Sequence, residues 1–259
     1  MRFTPAILVL LLFSIAAILP LGRESRIGGT FIGAIIAEDG IVLGADSRST
    51  FLDEDGRALG YIDGTQKLYA SNSTGVAVSG LTSVEGELFG SFVEKSSFLL
   101  QRTPDEALFG MSVWLPYRNS TGVLLLSGGY VEGKPKICMR SVVIPMTCRA
   151  SGFMTNQPSP SLSAWASSLR SAPKAGAAAA ALKQAIQASA AGDVKVGGAI
   201  TIVALQPRGA PMRIENPSLP AWKTVCDILR DHRAGRAHIV ATAPQSELDR
   251  YVFSAACSQ

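Results

Sequence analysis

The chain has 259 residues, of which 47% are hydrophobic and 17% are charged. This apolar fraction can bury a core, which excludes a wholly disordered or fibrous chain, and the length suits one or two domains. The net charge of +4 comes from 24 basic and 20 acidic residues that are not clustered, so nothing favours a nucleic-acid partner. Two histidines and four cysteines without a CxxC pair argue against a zinc site, and we expect no metal and no cofactor.

Residues 1–29 form a predicted leader. Arg2 precedes an uncharged apolar stretch, residues 6–19, and a polar break follows from Pro20 to Arg26. This order is typical of a secretory signal, whereas a membrane span needs about 20 apolar residues. Because no clean A-x-A site precedes the break, an uncleaved membrane anchor is an alternative, and a buried helix is another. We expect an exported protein, periplasmic or secreted, or a membrane-anchored one, rather than a cytoplasmic protein.

Two apolar runs open the body of the chain. Residues 30–37 and 41–45 flank the turn Glu38-Asp39-Gly40, and Asp-Gly between two such runs is a strong signal for a β-hairpin. Residues 51–64 carry acidic residues and glycines, which favours a loop or a weak hairpin. Two further short strands are expected, at 67–70 and 75–79.

Helical spacing then replaces the strand pattern. Apolar residues recur at helical intervals from Ser83 to about Leu100. The sequence Thr103-Pro104-Asp105-Glu106 has the form of a capping box and predicts the start of a second helix, which reaches about Leu115.

The second half of the chain repeats this order of strands and then a helix. Strands are expected at 122–127, 136–139 and 141–144. The alanine-rich segment 175–191 favours a helix, and Gly197-Gly198 separates it from a strand at 199–205. Strand clusters with helices between and after them predict an α+β domain whose sheets are covered by helices.

The cysteines and the last quarter of the chain leave alternatives open. Cys138 and Cys148 lie in strand-like runs, whereas Cys226 and Cys257 lie late in the chain. An oxidising compartment would allow disulfides, and buried free thiols are the alternative. After about residue 205, prolines indicate an irregular connection, and helices are expected near 221–231 and 247–253. This C-terminal extension, residues 206–259, could dock a neighbouring subunit or cover a sheet edge.

Five fragments follow one another at a spacing typical of one enzyme family. The first, from Gly28 to Thr50, contains the Gly29–Thr30 junction and Asp46-Ser47-Arg48. The others are Gly64-Thr65-Gln66-Lys67-Leu68, Val78-Ser79-Gly80, Ala150-Ser151-Gly152 and Asp193-Val194-Lys195-Val196-Gly197-Gly198. Together they resemble the proteasome β-subunit family of N-terminal-nucleophile hydrolases. Two features depart from that family: Val196 replaces its serine, and the loop 51–64 is longer than usual.

The resemblance implies a fold and a set of catalytic residues. The fold is a four-layer αββα sandwich, two antiparallel sheets flanked by helices, in a hydrolase domain of residues 30–259 with its core at about 30–205. Cleavage between Gly29 and Thr30 would make Thr30 the N-terminal nucleophile. Lys67 and Asp46 would form an ion pair beside it. By the same resemblance, Ser151 and Asp193 would complete a hydrogen-bond network around the new amine.

The chemistry of these residues is reasonable without the family. A threonine hydroxyl is a poor nucleophile until a base takes its proton. The α-amine that cleavage would release has an unperturbed pKa of about 7.7–8.0, so it is a usable base near neutral pH. A lysine ammonium nearby would lower the pKa of that amine further, and a carboxylate paired with the lysine would hold it charged and oriented.

The resemblance also implies a substrate cleft. Its residues would be Ser49, Thr50, Val78, Ser79 and Gly80. Thr50 and the strand end at Ser79 would pair with the main chain of an extended peptide. Val78 would lie at the base of the first specificity pocket, and the Gly80 amide would bind the oxyanion.

Three functions compete at this stage. The favoured one is a threonine-type endopeptidase that cuts itself at Gly29–Thr30 and acts without ATP on peptides or unfolded chains. The second is a non-catalytic scaffold that keeps its leader and a membrane tether through residues 6–19. The third is an acylase or amidase that acts on a small molecule. In each case we expect a homo-oligomer with no nucleic-acid partner.

Overall fold

The computed structural model describes residues 26–53, 55–80, 83–84, 86–112, 123–141, 145–254 and 257. The predicted signal segment with its apolar residues 6–19 lies outside this part of the chain, as do the predicted strand residues 142–144. Among the described residues, no helix has both the length and the apolar character that crossing a membrane requires.

The described residues form a mixed fold of strands and six α-helices, so the predicted α+β class is confirmed. The strands are β1 (Arg26–Gly28), β2 (Ile32–Ile36), β3 (Ile41–Asp46), β4 (Ser49–Leu52), β5 (Ala58–Ile62), β6 (Leu68–Ala70), β7 (Thr74–Ser79), β8 (Ser83–Val84), β9 (Glu87–Leu88), β10 (Leu124–Val131), β11 (Lys134–Ser141), β12 (Thr147–Arg149), β13 (Phe153–Thr155), β14 (Ile200–Leu205), β15 (Met212–Glu215) and β16 (Val240–Ala241). The helices are α1 (Phe89–Lys95), α2 (Pro104–Met111), α3 (Pro160–Ser168), α4 (Ala175–Gly192), α5 (Val225–Arg233) and α6 (Gln245–Ser254). A short 3-10 helix, Ser97–Gln101, follows α1.

Two five-stranded antiparallel sheets form the body of the protein. Sheet I has the strand order β13-β2-β3-β14-β15, and sheet II has the order β12-β11-β10-β7-β6. The hairpin predicted from the Asp-Gly turn is the centre of sheet I, where Ile36 pairs with Ile41. Every residue of β2 and β3 is buried, which explains why the amino-acid sequence of both strands is almost continuously apolar.

Alternate side chains of this hairpin enter two different cores. Ile32 and Leu43 pack with Leu126 of sheet II, so the two sheets share a core. Ile35 and Val42 point the other way and pack with helix α4. Helices α1 and α2 cover the outer face of sheet II in the same manner. The hairpin that carries Asp46 is therefore held rigidly from both sides.

A smaller sheet, the leader sheet, brings the two ends of the described chain together. Its four strands have the order β1-β4-β5-β16. The hairpin β4–β5 confirms the weak hairpin predicted within residues 51–64. Strand β1 pairs with β4 on one side, and β16 pairs with β5 on the other. The C-terminal extension thus covers a sheet edge, and its residues Ile228 and Leu248 pack behind the hairpin with Phe51 and Leu59.

The helix predicted from Ser83 to Leu100 is wrong in its first part. Strands β8 and β9 form a small hairpin there, and α1 begins only at Phe89. Contacts with the C-terminal extension explain the difference, because Leu88 N–H donates to Lys223 O at 2.8 Å. Pairing with a segment more than a hundred residues away overrides the local helical pattern.

The other predicted helices occur, and several short elements were not predicted. The capping box at Thr103 is present and α2 begins directly after it. The alanine-rich segment forms α4, and α5 and α6 lie in the two C-terminal segments where helices were expected. Besides β8 and β9, the unpredicted elements include β1, β12, β13, β15, β16 and α3, whose N-cap is Ser159.

The four cysteines form two disulfides. Cys138–Cys148 links β11 to β12, and Cys226–Cys257 links the first turn of α5 to the segment after α6. The disulfide alternative is therefore confirmed and the free-thiol alternative is wrong. The second bridge closes the loop that contains β16 and α6, the two elements of the extension that lie against β5.

Candidate functional site

Thr30 lies where the chain passes from the leader sheet into sheet I, between β1 and β2. It is only 4% exposed. The φ angles are +86° at Gly29 and +153° at Thr30. A positive φ is ordinary for glycine but strained for a β-branched residue, so backbone strain is concentrated at the peptide bond where the sequence predicts cleavage.

The amine of Lys67 points at Thr30 Oγ1 and at Gly29 O, two oxygen atoms that would take part in cleavage of this bond. It immediately precedes β6, and its side chain is fully buried. Its Nζ donates to Thr30 Oγ1 and lies 3.3 Å from Gly29 O, the carbonyl oxygen of the Gly29–Thr30 bond. A further hydrogen bond from Nζ to Arg48 O fixes its direction. The amine is placed to take a proton from the hydroxyl or to donate one to the carbonyl.

Asp46, the last residue of β3, holds Lys67 in this position. Its Oδ1 lies 3.5 Å from Lys67 Nζ, and neither side chain is exposed. Two backbone amides also bind the carboxylate: Phe31 N–H donates to Oδ1 at 3.2 Å and Gly197 N–H donates to Oδ2 at 2.6 Å. The structure thus brings together Thr30, Asp46 and Lys67, the three residues that the sequence places at the centre of the site.

Burial dominates the electrostatics of the Asp46–Lys67 pair. It lowers the pKa of Lys67 below its ordinary value of 10.5, because the ammonium loses its water, and the Asp46 carboxylate opposes this change only in part. Burial also raises the pKa of the Asp46 carboxyl, against the opposite effect of Lys67 and the two amides. A lysine with a lowered pKa gives up its proton closer to neutral pH, as a general base must.

A second set of contacts holds the carbonyl group of Thr30. Asn156 Nδ2 donates to Thr30 O at 2.8 Å, and Ser79 Oγ donates to the same oxygen at 3.2 Å. Gly80, with a φ of +86°, directly follows Ser79. Of the residues predicted for the cleft, Ser79 contacts Thr30 itself and Gly80 lies next to that contact.

The leader strand β1 lies along β4, where we expect an extended peptide to bind. Gly28 pairs with Thr50 in this antiparallel arrangement. The hydroxyls of Ser49 and Thr50 are buried, and within the described part of the chain they have no hydrogen-bond partner. In the uncut chain, Thr50 therefore pairs with the protein's own leader, and the pairing predicted with a substrate peptide stays a prediction.

We expect Gly29→Ala to slow cleavage of the leader strongly. A Cβ at this position would lie 2.6 Å from Lys195 O and 3.0 Å from Thr50 Oγ1, and a φ of +86° disfavours alanine. The backbone must shift, which moves the carbonyl away from Lys67. A misplacement of about 1 Å at a reacting centre costs on the order of 100-fold in rate.

Intact mass followed over time measures the fraction of Gly29→Ala chains that are cut. Gly56→Ala is the matched control, because its φ of +79° is similar but an added Cβ would meet nothing within 4 Å. Equal cleavage rates in the two variants would contradict the steric argument.

Ser151 does not lie beside Thr30, so its predicted role in the amine network is wrong. Strand β13 runs antiparallel to β2 with Phe153 opposite Ile35. Ser151 is therefore exposed beyond the Ile36 end of β2, whereas Thr30 precedes the other end. At about 3.3 Å per residue, the two are on the order of 20 Å apart.

Asn156, at the opposite end of β13, occupies the place that the sequence assigns to Ser151, and sequence reasoning missed it. A signal was available, because Ser151-Gly152 precedes the strand-like run 153–155 whereas Asn156 follows it. Choosing between the two ends requires the direction of β13 against β2, which local pattern does not provide.

Asp193 and Val78 also differ from the expectation. Asp193 Oδ1 accepts from Lys195 N–H at 2.9 Å, and in the described ranges no hydrogen bond joins it to Thr30. Its carboxylate instead shapes the loop that carries Gly197, whose amide binds Asp46. Val78 is buried beneath α1 and α2, because successive residues of a strand face opposite sides and Ser79 faces Thr30. Val78 is 0% exposed, so among the described residues of the uncut chain it lines no open pocket beside Thr30.

Val196, which replaces the serine of the family pattern, is 1% exposed and packs in the core under α4. No group of three or more histidine, cysteine, aspartate or glutamate side chains is placed to hold a metal ion within the described residues. Neither a protein-family model nor a curated protein matches this chain.

Proposed function

We propose that this chain is a threonine peptidase of the N-terminal-nucleophile type, similar to proteasome β subunits, and that it activates itself by cutting the Gly29–Thr30 bond. The observation that carries the proposal is the position of Lys67 Nζ, which is hydrogen-bonded to Thr30 Oγ1 and lies 3.3 Å from Gly29 O. The shared core of sheets I and II, with helices on their outer faces, supports the finer fold assignment, a four-layer αββα sandwich.

In the uncut chain, the nitrogen of Thr30 is part of a peptide bond and cannot act as a base. Neutral Lys67 would take the proton from Thr30 Oγ1 as this oxygen attacks the carbonyl carbon of Gly29. The C–N bond to Thr30 then breaks, the nitrogen accepts a proton, and an ester joins Gly29 to Oγ1. Water hydrolyses the ester, which releases a leader that ends at Gly29 and leaves a free amine on Thr30.

After cleavage, the same hydroxyl would attack other peptide bonds. The Thr30 amine is then the base attached to the nucleophile, with Lys67 and Asp46 next to it. A substrate in extended form would take the place of β1 along β4, and the Gly80 amide would bind the developing oxyanion. Peptides and unfolded chains suit this arrangement, because pairing along β4 requires an extended backbone.

Intact-mass and N-terminal analysis of the purified protein tests this proposal. We expect a chain that begins at Thr30, and hydrolysis of a fluorogenic peptide that appears with the same time course as the cut. A protein that still carries Gly29 on Thr30 after long incubation, and that hydrolyses nothing, is the non-catalytic scaffold. A cut protein that hydrolyses small amides but no peptides is the acylase or amidase.

We expect self-cleavage to become faster as the pH rises through the neutral range. The reactive form of Lys67 is the neutral amine, and burial lowers the pKa at which this form appears. Asp46 works against that change and the Arg48 guanidinium works with it. The rate should therefore level off at a pH below 10.5, the ordinary lysine value. Single-turnover cleavage measured by mass checks this, and a rate that falls with rising pH would contradict it.

The proposal extends to where the protein works and what it binds. Two disulfides support an oxidising compartment, so we propose export, with a membrane tether through residues 6–19 before cleavage as the alternative. We propose a homo-oligomer that uses no ATP and no cofactor.

A further inference from the structure

Asn156 binds the residues on both sides of Phe31. Its N–H donates to Ile32 O at 3.2 Å, and its Oδ1 accepts from Ile32 N–H at 2.9 Å. Its Nδ2 donates to Thr30 O and to Ser79 Oγ, each at 2.8 Å. This side chain thus acts twice as a donor and once as an acceptor, which an amide can do and a carboxylate or a single hydroxyl cannot.

Cleavage changes how Thr30 is held. In the uncut chain, peptide bonds restrain it on both sides, whereas the cut removes the restraint on its N-terminal side. Chain termini are mobile unless other contacts tie them down. The bonds from Asn156 and Ser79 to Thr30 O fix the orientation of the Thr30 carbonyl group, and with it the ψ angle of Thr30. Fixing that angle keeps Oγ1 and the new amine facing Lys67.

We propose that Asn156 is a positioning residue: it holds Thr30 through its carbonyl oxygen and so aligns Oγ1 for leader cleavage and for later turnover. The proposal rests on the proposed function of Thr30 as the nucleophile. Ser79 supports this role directly, because its hydroxyl accepts from Asn156 Nδ2 and itself donates to Thr30 O.

Two variants of the full chain, Asn156→Asp and Asn156→Ala, test whether Asn156 positions Thr30 or only supports the pairing of β13 with β2. The aspartate variant keeps the shape and the acceptor for Ile32 N–H but loses both donors, whereas the alanine variant loses all three side-chain bonds. For both we expect slower leader cleavage and, once cut, a kcat at least roughly tenfold lower with KM within about threefold, because misalignment affects the reacting atoms more than peptide binding. Asn72→Asp makes the same chemical change on the exposed turn after β6 and should match the unsubstituted protein.

Ser79→Ala is a second variant that keeps Asn156 and removes one of the two donors to Thr30 O. Ser79→Ala should lose less activity than the Asn156 variants. If thermal unfolding shows that the Asn156 variants do not fold, Ser79→Ala alone is used to test the proposal. Unchanged cleavage and kcat in the folded variants, or a rise in KM alone, would overturn the positioning role and leave the proposed function intact. An unsubstituted chain that is neither cut nor active would instead remove the proposed function.

Discussion

Thr30→Ala should leave the leader uncut and abolish peptide hydrolysis. The hydroxyl that Lys67 Nζ binds is lost, and the alanine side chain has no oxygen to attack the Gly29 carbonyl. Removing the nucleophile of a hydrolase costs on the order of 10⁴-fold or more in rate. Intact mass after long incubation measures the first effect, and release of a fluorogenic leaving group measures the second.

Thr30→Ser is the matched control for this experiment, because it keeps the hydroxyl and removes only a methyl group. We expect it to cut itself and to hydrolyse peptides, more slowly than threonine, whose β-branch restricts χ1 and so orients Oγ1. An alanine variant that still begins at residue 30 after expression would show that another protease makes the cut, and self-cleavage would have to be abandoned.

Lys67→Met should stop cleavage and also destabilise the protein. Methionine fills much of the same volume but cannot accept the proton of Thr30 Oγ1. Asp46 is then left buried without its cation, and such a loss costs about 3–5 kcal/mol in the free energy of unfolding. The amides of Phe31 and Gly197 still bind the carboxylate, so we expect the lower end of this range. Thermal unfolding and intact mass measure the two effects, with a fall in Tm of roughly 6–12 °C.

The double variant Asp46→Asn with Lys67→Met separates the role of the lysine as a base from its role as the buried cation that pairs with Asp46. Removing both charges takes away the unpaired buried carboxylate, so part of the lost stability should return while cleavage does not. The return is incomplete because the asparagine amide has one acceptor oxygen for the two backbone N–H groups of Phe31 and Gly197. Lys183→Met is the surface control: its partner Glu215 lies at 2.6 Å, but both side chains are more than a third exposed. Its loss should cost at most about 1 kcal/mol and leave cleavage unchanged. A double variant that cuts itself at the normal rate would contradict the role of Lys67 as the base.

Strong local signals made the strands that carry the centre of the site predictable. The Asp-Gly turn between two apolar runs identifies the hairpin, and Asp46 ends its second strand. Lys67 begins the next clear strand. The pairing of these two charges beside Thr30 was implied by the resemblance to the proteasome β-subunit family and not by local pattern, and the structure places them 3.5 Å apart.

The contacts around this centre depend on register, which local pattern does not contain. Ser151 and Asn156 lie at opposite ends of β13, and only the antiparallel pairing of that strand with β2 brings Asn156 to Thr30. Register also decides the surroundings of Val78, because one position along β7 determines whether a side chain faces the helices or Thr30. The pairing of β1 with β4 and of β16 with β5 is equally non-local, since it joins the two ends of the described chain.

The leader sheet bears on solubility, because its outer strands cover the edges of the β4–β5 hairpin. Its terminal strands are β1 and β16, so in the uncut protein both flanks of the β4–β5 hairpin are paired. An unpaired strand edge readily recruits other chains, including copies of the same protein. Loss of the leader would expose the edge of β4 beside Thr30, whereas β16 would still pair with the outer edge of β5. If the proposed cleavage occurs, the edge of β4 would therefore stay covered in the precursor, and pairing along β4 would become available only together with activity.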